Sequence, residues 1–224
     1  MQTINLALNA LRAARTHAAE HDVRYYLNGL YIDTTAGRIV ATDGHRLFAC
    51  DGPKSEVPPL IIPNSLVDAA LAQFKGLYAR GKELGAVHVE MTVDGDNLSI
   101  KTPVGVVSEK AIDGRFPDYK AAVPKADDLG DFAPCGMNPA YAYDAVDAIK
   151  IYRNANKKVR NSSEESGGYI YTRGELPAIV TDGAGGCVAV VMPMRLTVDA
   201  AVCLDWLHAT ATAEAPAAAD AVAA

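Results

Sequence analysis

Three times along this chain a helical stripe of small and apolar residues is followed by short apolar runs set apart by turn residues, and that recurrence limits the fold more than any other feature. The first stripe is read over residues 4–20. There Ile4, Leu8, Leu11, Ala14 and Ala18 recur at three- and four-residue steps, opposite a polar line of Asn5, Asn9, Arg12 and Thr16. Strand-like runs follow at residues 25–27, 30–33, 38–41 and 46–50, punctuated by Asn28-Gly29, Ala36-Gly37 and Asp51-Gly52-Pro53. A second set begins with a strand at 60–62. Pro63-Asn64-Ser65 then starts a helix that carries Leu66, Ala70 and Phe74 and stops at Gly76. Its strands are expected at 87–93, 98–101 and 104–111, with Asp94-Gly95-Asp96-Asn97 as a turn. The third set opens at Asn138-Pro139, a capping residue before a proline at the first helical position. Ala142, Val146, Ile149 and Arg153 share one face of that helix. An exposed loop at 161–168 and about three short strands up to Leu196 complete it.

Helix plus short strands, repeated, implies an α+β fold in which like units join their sheets. One internal echo supports repetition: Ile39-Val40-Ala41-Thr42-Asp43-Gly44 is matched by Ile179-Val180-Thr181-Asp182-Gly183. The period is longer than that of stacked solenoids. Residues 208–224 are almost all Ala with Thr, Glu, Asp and Pro, a composition with nothing to bury, and are expected to be disordered. The segment before them holds Trp206, the only tryptophan, which suits a short docking helix.

Composition removes several function classes. The chain has 224 residues, half of them hydrophobic and 21% charged, the balance of a globular protein with a real core. No run approaches the roughly 20 apolar residues of a membrane span. The segment Met1-Gln2-Thr3-Ile4-Asn5 lacks the layout of a signal peptide, so a cytoplasmic location is expected and no membrane partner. Cys50, Cys135, Cys187 and Cys203 include no CxxC pair and are read as free thiols. Asp43-x-His45 with Cys50 is not read as a metal site, because the second Thr-Asp-Gly copy lacks the histidine and no third ligand is suitably spaced. There is no phosphate-binding loop and no nucleophile elbow. No catalytic residue, metal or cofactor is therefore expected, and the chain is not read as an enzyme. The net charge of −6 argues mildly against nucleic acid, although a protein that encircles DNA needs positive charge only on its inner face.

Four segments carry a resemblance. Arg24-Tyr25-Tyr26-Leu27-Asn28-Gly29, Ala41-Thr42-Asp43-Gly44-His45-Arg46-Leu47, Asp113-Gly114-Arg115-Phe116-Pro117-Asp118-Tyr119 and Val190-Val191-Met192-Pro193-Met194-Arg195-Leu196 occur in this order. Together they resemble the bacterial sliding clamp, the beta subunit of DNA polymerase III. The resemblance covers roughly residues 1–196. It implies that residues 1–125 correspond to the clamp's middle domain, that 126–199 are part of its final domain, and that 200–224 are a tail. The family's first domain and the first half of its last domain have no counterpart.

The resemblance implies a pocket for partner peptides walled by Leu27, Thr42, Gly44, His45, Arg46, Leu47, Pro117, Val190, Val191, Met192, Pro193, Met194 and Leu196. A groove of Leu, Val, Pro and flexible Met accepts large apolar anchors, and His45 and Arg46 supply polar contacts at its rim. Where the family commonly has Arg then Val after the Phe-Pro-Asp-Tyr segment, this chain has Ala121-Ala122, so an altered partner preference is expected. His21, Tyr25 and Tyr26 match positions that resemble DNA contacts in the family. Arg12 and Arg15 on the first helix, with Lys150, Arg153, Lys157, Lys158 and Arg160 at and after the third, would add phosphate contacts that read no sequence.

The function so implied is that of a processivity factor that tethers polymerase and other proteins bearing clamp-binding motifs to double-stranded DNA, placed there by a clamp loader. Its size would suit a phage or mobile element. Rings of this family contain twelve helix-plus-strands units, so three per chain imply a homo-oligomer of four. The alternative is a clamp-like module that never encircles DNA and competes for clamp-binding peptides.

Overall fold

The structure, a computed structural model, describes residues 1–75, 87–124, 136–153, 169–172, 175–183 and 185–194. Gly76, the expected loop at 161–168, Lys157, Lys158, Arg160, Cys135, Leu196, Cys203, Trp206 and the Ala-rich tail lie outside these residues.

Alternation, not a helical stripe, decides the first element. Gln2–Ala7 is a strand, β1, with Ile4 and Leu6 buried and Thr3 and Asn5 exposed. The expectation of a helix from residue 4 is corrected. Ile4, Leu8 and Leu11 do stand at helical steps, but Ile4 and Leu6 also alternate. A partner strand, registered from Gln2↔Val93 to Ala7↔His88, supplies the ladder that settles the choice. The helix α1 is only Leu8–Arg15. Strands β2 (Gly29–Asp33), β3 (Arg38–Thr42) and β4 (Arg46–Asp51) follow.

The second group is β5 (Leu60–Pro63), α2 (Asn64–Gln73), β6 (His88–Asp94), β7 (Asn97–Lys101) and β8 (Val106–Lys110). The third is α3 (Pro139–Arg153), β9 (Tyr169–Tyr171), β10 (Ala178–Thr181) and β11 (Cys187–Val191). Asn138 caps α3 as its position before Pro139 requires, its Oδ1 accepting the Ala140 N–H at 3.0 Å.

The strand ahead of each of the first two helices joins the other group's sheet. β1 lies beside β6 in a four-stranded sheet ordered β1-β6-β7-β8, and β5 lies beside β2 in a seven-stranded sheet ordered β5-β2-β3-β4-β11-β10-β9. Both sheets are antiparallel throughout. The third group enters the larger sheet through β11, which pairs with β4 from Arg46↔Val191 to Cys50↔Cys187.

The larger sheet is covered on both faces, which is why β3 and β4 read as near-continuous apolar runs. On one face Ile39, Ala41, Phe48, Cys50, Ala189 and Val191 join the main core with residues of α1, α2 and α3. On the other, Val40, Leu47, Ala49 and Val190 form a second cluster with Leu27 and Phe116. Fully burying one such Leu or Val stabilises the fold by about 1.5–3 kcal/mol, so the second cluster is a substantial core of its own. Among the described residues no helix is long and apolar enough to cross a membrane.

Candidate functional site

The pairing of β4 with β11 brings two distant motifs side by side. Leu47 faces Val190 and Arg46 faces Val191 across the ladder, and the Met192 N–H donates to His45 O at 2.8 Å just beyond it. Leu27 reaches the same apolar cluster from a 3₁₀ turn, Tyr25–Leu27, where a strand was expected. Side chains force that turn. Asp22 and Asn28 exchange hydrogen bonds, Asn28 Oδ1 accepting from Asp22 N and Asn28 Nδ2 donating to Asp22 O, each at 2.9 Å, and Leu27 N donates to Arg24 O at 2.8 Å.

The segment from Asp113 to Tyr119 lies across the same face. Phe116 is buried and its ring stacks on Tyr31, 4.8 Å between centroids. The Tyr119 hydroxyl donates to Asp33 Oδ2 at 2.9 Å. Partial burial and this bond to a carboxylate raise the Tyr119 hydroxyl well above the usual tyrosine range. Pro117 is held between these two anchors and stays exposed. Further along the face, Ala49, Val188, Arg38, Tyr119, Lys120 and Val123 line an open hollow of about 400 Å³.

Between β3 and β4 the backbone turns through Asp43-Gly44-His45. Gly44 has φ +91, a conformation suited to glycine, and a Cβ there would stand 2.8 Å from Arg24 Nη1. Thr42 closes the turn, its hydroxyl donating to Arg46 O at 2.7 Å and accepting from Gly44 N at 3.1 Å. Asp43 Oδ1 accepts the N–H groups of His45 and Arg46 at 2.8 and 3.0 Å. Arg24 ties on from outside, its Nη2 bonding Asp22 Oδ2 at 2.6 Å and Asp43 O at 3.1 Å. The guanidinium of Arg24 holds the Asp22 carboxyl down at about 2.

Arg46 links this turn to α3. Its Nε donates to Asp43 Oδ2 at 3.0 Å, Nη1 donates to Asp144, and the guanidinium lies 5.0 Å from the centroid of the Tyr141 ring. His45 stacks on the same ring at 6.1 Å, nearly parallel. On the core side of the turn His17 is fully buried, its ring 5.6 Å from Phe48 and its Nδ1 2.9 Å from Thr16 Oγ1. Burial first, and the nearby Arg46 charge second, lower the His17 imidazole to about 4, and its Nε2 has no partner.

Of the expected pocket residues, Leu27, Leu47 and Val190 are buried together in the apolar cluster on one face of the sheet. Thr42, Gly44, His45 and Arg46 form the turn at its end. Met192 and Pro193 are half-buried beside that turn, and Met194 is 57% exposed, its backbone bonded to Gly136 ahead of α3. Val191 is corrected: alternation along β11 sends it into the main core on the opposite face, away from Leu47 and Val190. Tyr141 and Asp144 belong with the site and were not expected. Their i,i+3 spacing just after the Asn138 cap is the signal in the sequence, overshadowed by the apolar stripe of the same helix. Its buried residues are Ala145, Ala148 and Ile149.

The cations expected to meet DNA are partly engaged. Arg15 forms a fork with Asp68 at 2.8 Å per bond and a third bond to Glu20 at 2.9 Å. Arg153 forks onto Asp182, one arm at 3.1 Å, and also donates to Gly185 O. Arg12 and Lys150 project from α1 and α3. His21 is exposed with φ +55, and Tyr25, also exposed, meets Tyr26 edge to face at 5.7 Å.

No family model matches the chain. Sequence similarity points to one group of proteins. The chain is 32% identical over 149 residues to the beta sliding clamp of Escherichia coli K12, covering 64% of this chain and 38% of that protein. It is 30% identical over 153 residues to the beta sliding clamp of Pseudomonas aeruginosa, covering 64% and 39%. It thus spans well under half the length of these curated relatives. Among solved structures, the DNA polymerase III subunit beta of P. aeruginosa superposes with a TM-score of 0.63 at 20% identity, over 88% of this chain and 67% of that one. The same subunit from Borrelia burgdorferi gives 0.61 at 16% identity, over 88% and 65%. These superpositions establish the fold.

Proposed function

We propose that this chain, similar in sequence to part of the bacterial beta sliding clamps and a sliding clamp in fold, is a clamp-type processivity factor that tethers DNA polymerase and other replication proteins through a peptide groove beside the β4–β11 junction. It acts by attachment and not by catalysis. The observation that carries this reading is the union of the 42–47 turn with the 190–194 segment, sealed by the bond from Met192 N to His45 O. Leu27, Leu47 and Val190, themselves buried, support the groove from beneath; His45, stacked on Tyr141, and Arg46 give it a polar end; Met192, Pro193 and exposed Met194 give it an adaptable rim. A short extended peptide with large apolar anchors and a glutamine matches that order of surfaces.

On this reading double-stranded DNA is held without sequence preference, a loader opens or places the assembly, and chains associate so that the helices line a channel. The location is the cytoplasm, where replication proceeds.

A second reading is favoured by the charge distribution. The net charge is −6, and Arg15 and Arg153 are spent on Asp68, Glu20 and Asp182. A module that binds clamp-motif peptides without encircling DNA needs no further cation.

The test is fluorescence anisotropy with a labelled peptide carrying Gln and two large apolar residues. Met194→Glu, at an exposed position, is expected to weaken binding at least tenfold while leaving the melting curve unchanged; undiminished affinity removes the groove. Retention on circular but not linearised DNA separates the ring from the non-encircling module.

A further inference from the structure

The junction of the first and third groups holds two thiols that the peptide groove does not use. Cys50 lies near the end of β4 and Cys187 begins β11, and they are register partners. The Asp51 N–H donates to Gly186 O at 2.8 Å. A bond from the residue after one cysteine to the residue before the other marks them as a non-hydrogen-bonded pair. At such a pair the Cα atoms stand about 4.5 Å apart and the side chains lean together. Disulfides span Cα separations of about 4.4–6.8 Å, so this position accepts one without moving either strand. Both side chains lie on the same face, in the main core, 1% and 6% exposed, and both are free thiols.

We propose that Cys50 and Cys187 are a cross-strand disulfide site, closed by a hydroperoxide oxidant, that bolts the third group of elements onto the first. Cys187 is the point of entry. It adjoins the exposed Gly185-Gly186 turn, whereas Cys50 is sealed. Its sulfur, as thiolate, attacks the peroxide. The O–O bond breaks, a sulfenic acid forms, and the departing oxygen takes up the proton the thiol released, leaving as an alcohol, or as water when the oxidant is hydrogen peroxide. The Cys50 sulfur then displaces the sulfenic oxygen: the S–S bond forms, the S–O bond breaks, and water leaves with the Cys50 proton. The two sulfurs lose two electrons and the peroxide gains them. Burial raises the Cys187 thiol to about 11 and Cys50 well above the usual range, so the reaction is slow beside that of an exposed thiol. His45 and Met192 lie at the opposite end of the same strand pair, so the bolt fixes the register on which the groove depends without touching its walls.

The experiment uses the full chain with Cys135→Ser and Cys203→Ser, treated with hydrogen peroxide while folded, alkylated, and digested without reduction. Mass spectrometry is expected to find one Cys50–Cys187 cross-linked peptide pair in a chain of monomer covalent mass. The thermal midpoint should rise by several degrees and return with dithiothreitol. Under the same treatment the further variant Cys50→Ala should carry sulfenic or sulfinic acid on Cys187. Two alkylated thiols, a bond between chains, or sulfinic acid on Cys187 with Cys50 still reduced overturns the proposal.

Discussion

The same turn occurs twice in this molecule and is put to two uses. In both copies a threonine hydroxyl accepts the N–H of the glycine two residues on, at 3.1 Å for Thr42 and Gly44 and 3.2 Å for Thr181 and Gly183. In both the glycine has positive φ, +91 and +76. In both the aspartate between them holds an arginine, and each arginine joins the turn to α3. The difference is where the arginine comes from. Asp43 holds Arg46 of its own strand, which then reaches Asp144 and lies over Tyr141, opening a polar notch against His45. Asp182 holds Arg153 from the last turn of α3, and the contact closes the fold without offering a surface. One local solution, repeated, thus builds a site at one end of the helix and a clasp at the other.

The widest contrast is in acid. Only the first turn backs onto a buried histidine among the described residues. The folded state lowers His17 from 6.5 to about 4, so between these values the unfolded chain binds the extra proton. Stability is complete above about pH 6.5 and is lost as pH falls toward 4, by about 3 kcal/mol at most if the whole shift is expressed. Chemical denaturation across pH 4–7 should show this slope, and His17→Leu should flatten it whatever it does to absolute stability. A slope unchanged in that variant assigns the acid sensitivity elsewhere.

The arginines come next. Arg46→Met leaves Asp43 and Asp144 without their cation and removes the contact with Tyr141. With the Arg46 and Asp43 side chains 15% and 18% exposed, the expected loss is about 2–3 kcal/mol. Arg153→Met breaks a pair 33% and 17% exposed and should cost about 1 kcal/mol, with peptide affinity unchanged. Equal losses in urea melts, or equal effects on peptide binding, would erase the distinction between site and clasp.

Much of this was legible from residue order, and what was not has identifiable causes. The three helix-and-strand groups, the Asn138 cap and the β4 and β11 segments follow from periodicity and turn chemistry. Residues 2–7 satisfied two periods at once, and only the pairing with β6 chose between them. Tyr25–Leu27 has strand composition, but the Asp22–Asn28 bonds bend it. Val191 adjoins Val190 in a linear motif, yet alternation along the strand sends the two to opposite faces. Tyr141 and Asp144 were hidden in an Ala-rich helix whose buried face could not be told from composition.

The smallest difference tests the backbone itself. Gly44→Ala and Gly183→Ala both force an L side chain into positive φ, which costs about 1–2 kcal/mol at either turn. At Gly44 the new methyl also meets the Arg24 guanidinium at 2.8 Å. That arm is the end of a long, half-exposed side chain and can move, so the added cost is only a few tenths of a kcal/mol, set by the lost bond to Asp43 O. Paired thermal melts should therefore place the two variants close together, Gly44→Ala slightly lower. Combining each with Arg24→Ala should make them equal. If the gap persists without Arg24, the difference between the turns lies in their backbones, and the two copies are not the same solution used twice.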